Sequence, residues 1–212
     1  EQLTWACAKT IVNQLPKNIL LPKELKKLSE SLAVTYYANL SVFRSAPDTW
    51  AIDQVFPIMP IHRLSKEPKK LGHFADLTCD SDGKLDQFID NGKIKNLLPL
   101  HEFNQDEKYL IGLFLGGAYQ EVMGNLHNLF GSTNAVHIRF TENGNYKVEH
   151  VIRGNTKSNV LEYLEHDPEI LLERLRKSSE LAIQGGHLKI HDAQKLIEHV
   201  EASLRQSTYL QS

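Results

Sequence analysis

Leu77-Thr78-Cys79-Asp80-Ser81-Asp82-Gly83 closes an apolar stretch that starts at Leu71, and Gly116-Gly117-Ala118-Tyr119-Gln120 closes another that starts at Tyr109. Runs of β-branched and aromatic residues bounded by turn formers read as strands. The first strand then delivers a thiol and two carboxylates to one turn, and the second delivers a glycine pair and an outward tyrosine. The same texture covers Val34 to Phe43, Ala135 to Phe140 and Tyr146 to Arg153. The last two flank Glu142-Asn143-Gly144-Asn145, where Asn-Gly supplies the positive φ angles of a tight hairpin turn. Residues 34–157 are therefore predicted to be a β domain, sandwich or barrel-like, that carries an active-site rim.

Helical periodicity brackets this domain. Leu3, Ala8, Ile11, Val12 and Leu15 recur at helical spacing up to Pro16, and a second helix is expected to start at Pro22 and run through Leu25, Leu28 and Leu32. Residues 1–33 thus read as a helical hairpin. After Asn155, Asp167-Pro168 reads as an N-cap and first-turn proline for a stripe of Ile170, Leu171, Leu175 and Leu181 that stops at Gly185-Gly186. A last helix is expected near Asp192, so residues 158–212 form a C-terminal helical segment. The fold class is α+β, and the absence of alternating strand-helix units predicts no (β/α)8 barrel in this stretch.

With 212 residues, 41% hydrophobic and 24% charged, the chain can bury an ordinary core. A formal net charge of -2 offers no bulk attraction to nucleic acid or to an anionic membrane, and the basic runs Lys23 to Lys27 and Lys66 to Lys70 read as solvated surface. Cys7 and Cys79 sit in dissimilar settings, which predicts no disulfide framework and a reducing cytoplasm. No apolar run approaches the roughly 18 residues of a membrane span, and no targeting segment is legible. The chain opens without Met on Glu1-Gln2-Leu3-Thr4-Trp5, already in a helical pattern, and is expected to be a piece of a longer protein.

Taken singly, the motifs have ordinary readings. Cys79 can be a small buried residue beside a Ser/Asp turn that caps its own amides. Gly116-Gly117 can be a bulge or tight turn, although two glycines at a strand end also let backbone approach a ligand. Among the ten histidines, His187 and His191 are four apart, but no third ligand stands at zinc-type spacing, so no metal site is predicted. No phosphate loop, Gly-x-Ser-x-Gly elbow or dinucleotide fingerprint occurs.

Together with Tyr36-Tyr37-Ala38-Asn39 upstream and His127-Asn128-Leu129-Phe130-Gly131 downstream, the order of these motifs resembles the C-terminal portion of the alanine-racemase-like, pyridoxal-phosphate-dependent basic amino acid decarboxylases. In that family a Cys-acid-Ser segment reaches across a dimer interface into the partner's cofactor site. The resemblance implies that Cys79 returns a proton to the substrate α-carbon and that Asp80 contacts the substrate side chain. It also implies that Tyr119, with Gly117 beside it, meets the cofactor phosphate. The family's Phe-Asn stands here as His127-Asn128.

Leu40 occupies the position where ornithine-type members carry an ammonium-binding aspartate, and leucine cannot pair with a cation. Pro47-Asp48-Thr49-Trp50-Ala51-Ile52-Asp53-Gln54 follows the arginine type. A guanidinium wants a carboxylate that accepts two hydrogen bonds, and Asp48, Asp53 and Asp80 are the candidates. Asp48 reads equally as an ordinary turn or N-cap residue after Pro47.

The resemblance implies conversion of L-arginine to agmatine and carbon dioxide in polyamine biosynthesis. It places the Schiff-base lysine for pyridoxal phosphate in an N-terminal barrel outside this chain, so the chain alone is expected to be inactive. Family members of this type also depend on magnesium, for which no ligand set is legible here. A homo-oligomer, dimer or higher, with shared active sites is expected. The alternatives are a non-catalytic polyamine-pathway regulator on the same fold and a basic amino acid decarboxylase of other specificity. A general ligand-binding β domain is a further one, which leaves the Cys-Asp segment unexplained.

Overall fold

The helical spacing of Leu3 to Leu15 becomes α1 (Gln2–Gln14), and α2 (Lys23–Ser31) follows in the computed structural model. The structure describes residues 2–15, 22–80, 82–90, 92–117 and 119–211, without the side chains of Asn13, Ser29 and Asp90. Pro16, expected to end the first helix, lies outside the described residues. Two units result, Glu1–Val42 with Ala46–Ala118, and Phe43–Ser45 with Tyr119–Ser212.

After β1 (Val34–Tyr37) comes the helical turn α3 (Val42–Ser45), of which only Val42 belongs to the first unit, and then α4 (Pro47–Ala51), back in the first unit. Then come β2 (Ile58–Pro60), β3 (Lys70–Ala75), β4 (Lys84–Leu85), β5 (Phe88–Asp90), β6 (Lys93–Lys95), β7 (Leu98–Leu100) and β8 (Ile111–Leu113). Three partners surround β3: it runs parallel to β1 and antiparallel to β4 and β7. Gly72 permits this approach, since a Cβ there would stand 2.6 Å from the Val34 carbonyl oxygen. The pairs β2–β8 and β5–β6 form separate two-stranded sheets, and no closed barrel forms among the described residues.

Two expected strands are shorter than their apolar texture. The one from Val34 ends at Tyr37, because the Val42 amide bonds a carboxylate instead of a ladder partner. The one from Tyr109 ends at Leu113, because its partner β2 has three residues and Leu115 takes a left-handed backbone, φ +60°.

The first unit's core gathers Val42, Ala46, Phe56, Ile58, Phe74, Leu85, Phe88, Leu98 and Leu100, with Tyr36, Leu40 and Tyr109 packed on it. Each buried Val, Leu, Ile or Phe among them contributes about 1.5–3 kcal/mol on burial. At one edge the Tyr36 hydroxyl donates to the His101 carbonyl at 2.7 Å, and the His101 amide donates to the Tyr109 hydroxyl oxygen at 2.8 Å. Nε2 of His101 lies 2.8 Å from the Lys66 carbonyl, which only accepts, so Nε2 carries the proton. Burial raises the pKa of both tyrosines, so both remain hydroxyl donors at neutral pH.

The second unit contains α5 (Gln120–Met123), a 3-10 turn (His127–Leu129), the ribbon of β9 (Ala135–Phe140) and β10 (Tyr146–Ile152), and then α6 (Lys157–Tyr163), α7 (Pro168–Gln184) and α8 (Ile190–Leu204). The caps are those the residue types prefer. Thr156 and Asn159 close a capping box on α6, Asp167 accepts the Glu169 amide at 2.8 Å with Pro168 beside it, and Gly186 leaves α7 at φ +73°. Arg176 pairs with Glu201 at 2.5 Å across α7 and α8. Among the described residues no helix is long and apolar enough to cross a membrane.

Candidate functional site

The thiol sits at the tip of the β3–β4 hairpin, and a buried carboxylate shapes that tip. Asp76 is 4% exposed. Its Oδ2 accepts the Val42 amide at 2.8 Å, and its Oδ1 accepts the Thr78 amide at 2.8 Å and the Thr78 hydroxyl at 2.5 Å. Its own amide donates to the Gly83 carbonyl at 2.8 Å, and the Leu77 amide donates to the Leu40 carbonyl at 3.0 Å. Gly83 is required here: a Cβ would meet Thr78 Oγ1 at 2.1 Å and Asp76 Oδ1 at 2.2 Å. Beyond this anchor Cys79 and Asp80 are both exposed, so the ordinary reading of Cys79 as a buried packing residue does not hold. Ser81, expected in the same turn, lies outside the described residues.

Next to the hairpin, in the same unit, Asp82, Lys84 and Asp86 share a cleft of about 110 Å³ with Thr49, Trp50 and Asp53. The Lys84 ammonium donates to Asp86 at 2.8 Å, and that hydrogen bond holds its pKa above the ordinary lysine range. Three carboxylates face one cation, so the cleft favours a further positive group. Thr49 Oγ1, buried and without a hydrogen-bond partner among the described residues, borders it. Asp53 holds a left-handed backbone, φ +54°, at the end of α4, where the Asp48 carbonyl accepts the amides of Ile52 and Gln54 at 3.2 and 3.1 Å. Aspartate tolerates that region better than most residues. The cleft therefore takes Asp53; Asp48, in the first turn of α4, and Asp80, at the hairpin tip, are not among its lining residues.

Tyr119 belongs to the second unit. It precedes α5, is 71% exposed, and its carbonyl accepts the Met123 amide at 2.8 Å. Arg44 fixes this segment: Nη1 donates to the carbonyls of Gly124 at 2.6 Å and Glu121 at 3.2 Å, and Nη2 donates to the Ser132 hydroxyl. A Cβ on Gly124 would lie 2.2 Å from the Arg44 carbonyl. The His127 ring packs on Phe43 with centroids 4.4 Å apart. Asn128 and Leu129 are both left-handed, φ +53° and +64°. The Gly131 amide donates to Thr208 Oγ1 at 3.0 Å and its carbonyl accepts the Tyr209 hydroxyl at 2.9 Å, so the chain's last residues clamp this loop. At Gly117, in the first unit, a Cβ would meet nothing within 4 Å. Ala118 lies outside the described residues.

Residues 158–210, which include α7 and α8, match the family model described as the arginine decarboxylase C-terminal helical extension. The whole chain is 69% identical over 211 residues to the biosynthetic arginine decarboxylase of Prochlorococcus marinus strain MIT 9303, covering 100% of this chain and 33% of that protein. Over its whole length the chain is similar to the C-terminal part of biosynthetic arginine decarboxylases. The enzyme of that name from Parasynechococcus marenigrum is 62% identical over the same 100% of this chain and 33% of its own length. The crystal structure of the biosynthetic arginine decarboxylase SpeA from Campylobacter jejuni superposes with a TM-score of 0.71 at 36% identity, over 89% of this chain and 31% of that one. The chain thus spans about a third of the length of the arginine decarboxylases it matches.

Three residues of the site carry no clear mark in the sequence. Asp76 looked like part of a strand; the Asp-x-Thr spacing to Thr78, typical of side-chain-capped turns, was the available signal. Asp82 was absorbed into the turn, and only its position across from α4 makes it a cleft residue. Arg44 carries no local signal, because its partners lie 77 to 88 residues away. Among the described residues no group of three or more His, Cys, Asp or Glu side chains could hold a metal ion.

Proposed function

We propose that this chain is the C-terminal third of a pyridoxal-phosphate-dependent enzyme that converts L-arginine to agmatine and carbon dioxide, supplying polyamine synthesis. The reading is carried by one observation: an exposed Cys79-Asp80 tip, held by a buried Asp76, stands on the same unit as a cleft with an excess of carboxylates. The identity to proteins named biosynthetic arginine decarboxylase supports it.

The cofactor, when bound, supplies an electron sink for the pair released with carbon dioxide. The residues present fit it: Tyr119 offers an exposed phenol as a hydrogen-bond donor, and the open space at Gly117 leaves backbone accessible to an oxyanion. The lysine that anchors the cofactor lies in an N-terminal barrel of the same polypeptide.

Cys79 acts on the partner subunit's substrate, giving the proton of its Sγ to the α-carbon once carbon dioxide has left. Asp80 follows it to the substrate side chain. Asp53, reinforced by Asp82, takes the guanidinium, whose planar donors match a carboxylate better than an ammonium would. The cleft's volume suits that head group and not a whole amino acid. The test is product analysis with the full-length polypeptide: agmatine and carbon dioxide in equal amounts from arginine, with ornithine and lysine poor substrates. Preference for either of those amino acids sinks the substrate assignment, and no decarboxylation of any of the three sinks the enzyme reading.

A further inference from the structure

The ribbon of β9 and β10 gathers most of its apolar side chains on one face. Val136 pairs with Val151, Ile138 with Val148 and Phe140 with Tyr146. All six are exposed, from 46% at Val148 to 80% at Phe140. The other face carries His137, Arg139, Lys147 and His150, with Arg139 paired to Glu149 at 2.7 Å, and only the pair Ala135 and Ile152 at its end is apolar. Val148 and Val151 are three residues apart, a spacing that puts them on opposite faces of a regular strand. The register shift between Val148 and His150 cancels that and returns Val151 to the apolar side. The irregularity therefore preserves a continuous apolar face. Among the described residues the ribbon gains no third strand, and an isolated two-stranded hairpin is marginal in water.

We infer that this face is the docking surface for the part of the same polypeptide that precedes Glu1, which rests on reading the chain as the C-terminal third of a longer decarboxylase. Two thirds of each relative lies outside the match, and residues 158–210 of this chain match the family's C-terminal extension, so a long N-terminal part of the polypeptide is available as the occupant. Size argues against a second copy. At about 3.3 Å per residue, six residues by two strands present roughly 20 by 10 Å, near 200 Å². A stable dimer buries about 800 Å² on each partner. A patch this small is sufficient where the occupant is covalently attached and its effective concentration is high.

The test places Ile138→Cys or Val136→Cys on the apolar face and Lys147→Cys on the polar face of the full-length polypeptide, with alkylation followed site by site by peptide mass spectrometry. The expected result is that both apolar-face thiols react more slowly than the Lys147→Cys thiol by at least an order of magnitude, and equally slowly at every protein concentration. Equal rates on the two faces overturn the inference. Protection that vanishes as the oligomer dissociates on dilution assigns the face to a second copy and also overturns it. Agmatine formation by the same preparations reads the enzyme assignment separately.

Discussion

Asp76 Oδ2 and the Val42 amide lie 2.8 Å apart and 34 residues apart in sequence. This single bond ties the loop that presents Cys79 to the turn that leads into α4, and so to the segment that carries Asp53 into the cleft. The carboxylate is buried and accepts three hydrogen bonds, so it cannot be removed without orphaning amides that have no water to turn to.

Asp76→Ala is accordingly expected to cost about 3 kcal/mol of stability, read as a shift of the denaturant midpoint without a change in slope. Asp76→Asn keeps the shape but loses charge and presents a donor where acceptors are needed, so it should recover less than half of that loss. A midpoint within error of the parent for both variants would show that the loop is held by other means.

Cys79→Ala should leave stability unchanged, because the side chain is exposed. In the full-length polypeptide kcat should fall while the KM for arginine holds, and a share of turnovers should end as a guanidino-aldehyde, since the proton no longer reaches the α-carbon on time. Unchanged kcat with agmatine as sole product would make Cys79 a bystander.

Carboxylate substitutions separate the guanidinium candidates. Asp53→Asn should lower kcat/KM for arginine by roughly two orders of magnitude, since it leaves a desolvated cation without its partner. Asp48→Asn should have a much smaller effect. The reverse ranking would move the guanidinium out of the cleft.

High pH should weaken the first unit. Burial raises the pKa of Tyr36 and of Tyr109 above the ordinary tyrosine value of 10.0. The unfolded chain therefore loses these protons first as pH rises, and it binds fewer protons than the folded chain in that window. Stability attributable to the pair is full below the unfolded value and is lost as pH climbs through the folded values. Chemical melts from pH 9 upward should show this decline, and Tyr36→Phe should reduce it; an identical decline in the variant would assign it to other groups.

Arg44→Lys should loosen the Tyr119 segment, because a lysine cannot reach the Gly124 carbonyl and the Ser132 hydroxyl together as the planar fork does. The expected outcome is weaker binding of pyridoxal phosphate to the cofactor-free full-length polypeptide, measured by absorbance titration, with little change in Tm. An unaltered affinity would leave Arg44 with no part in placing Tyr119.

Local chemistry was sufficient for what depends on nearby residues. Helical spacing with Asp167-Pro168 and Gly186 delimited α7, and Asn143-Gly144 between alternating apolar runs delimited β9 and β10, because caps and tight turns satisfy backbone groups within a few residues. The exposed Cys79-Asp80 tip was legible as a turn for the same reason. Tertiary structure decided the rest. Val34 to Phe43 had the texture of a long strand, yet the fold ends it at Tyr37 because the Val42 amide goes to Asp76. Asp48, Asp53 and Asp80 were equivalent as letters, and only the packing of α4 beside β4 sets Asp53 across from Asp82. Those choices turn on hydrogen bonds and charge meeting across tens of residues, where spacing along the chain carries no information about distance in space.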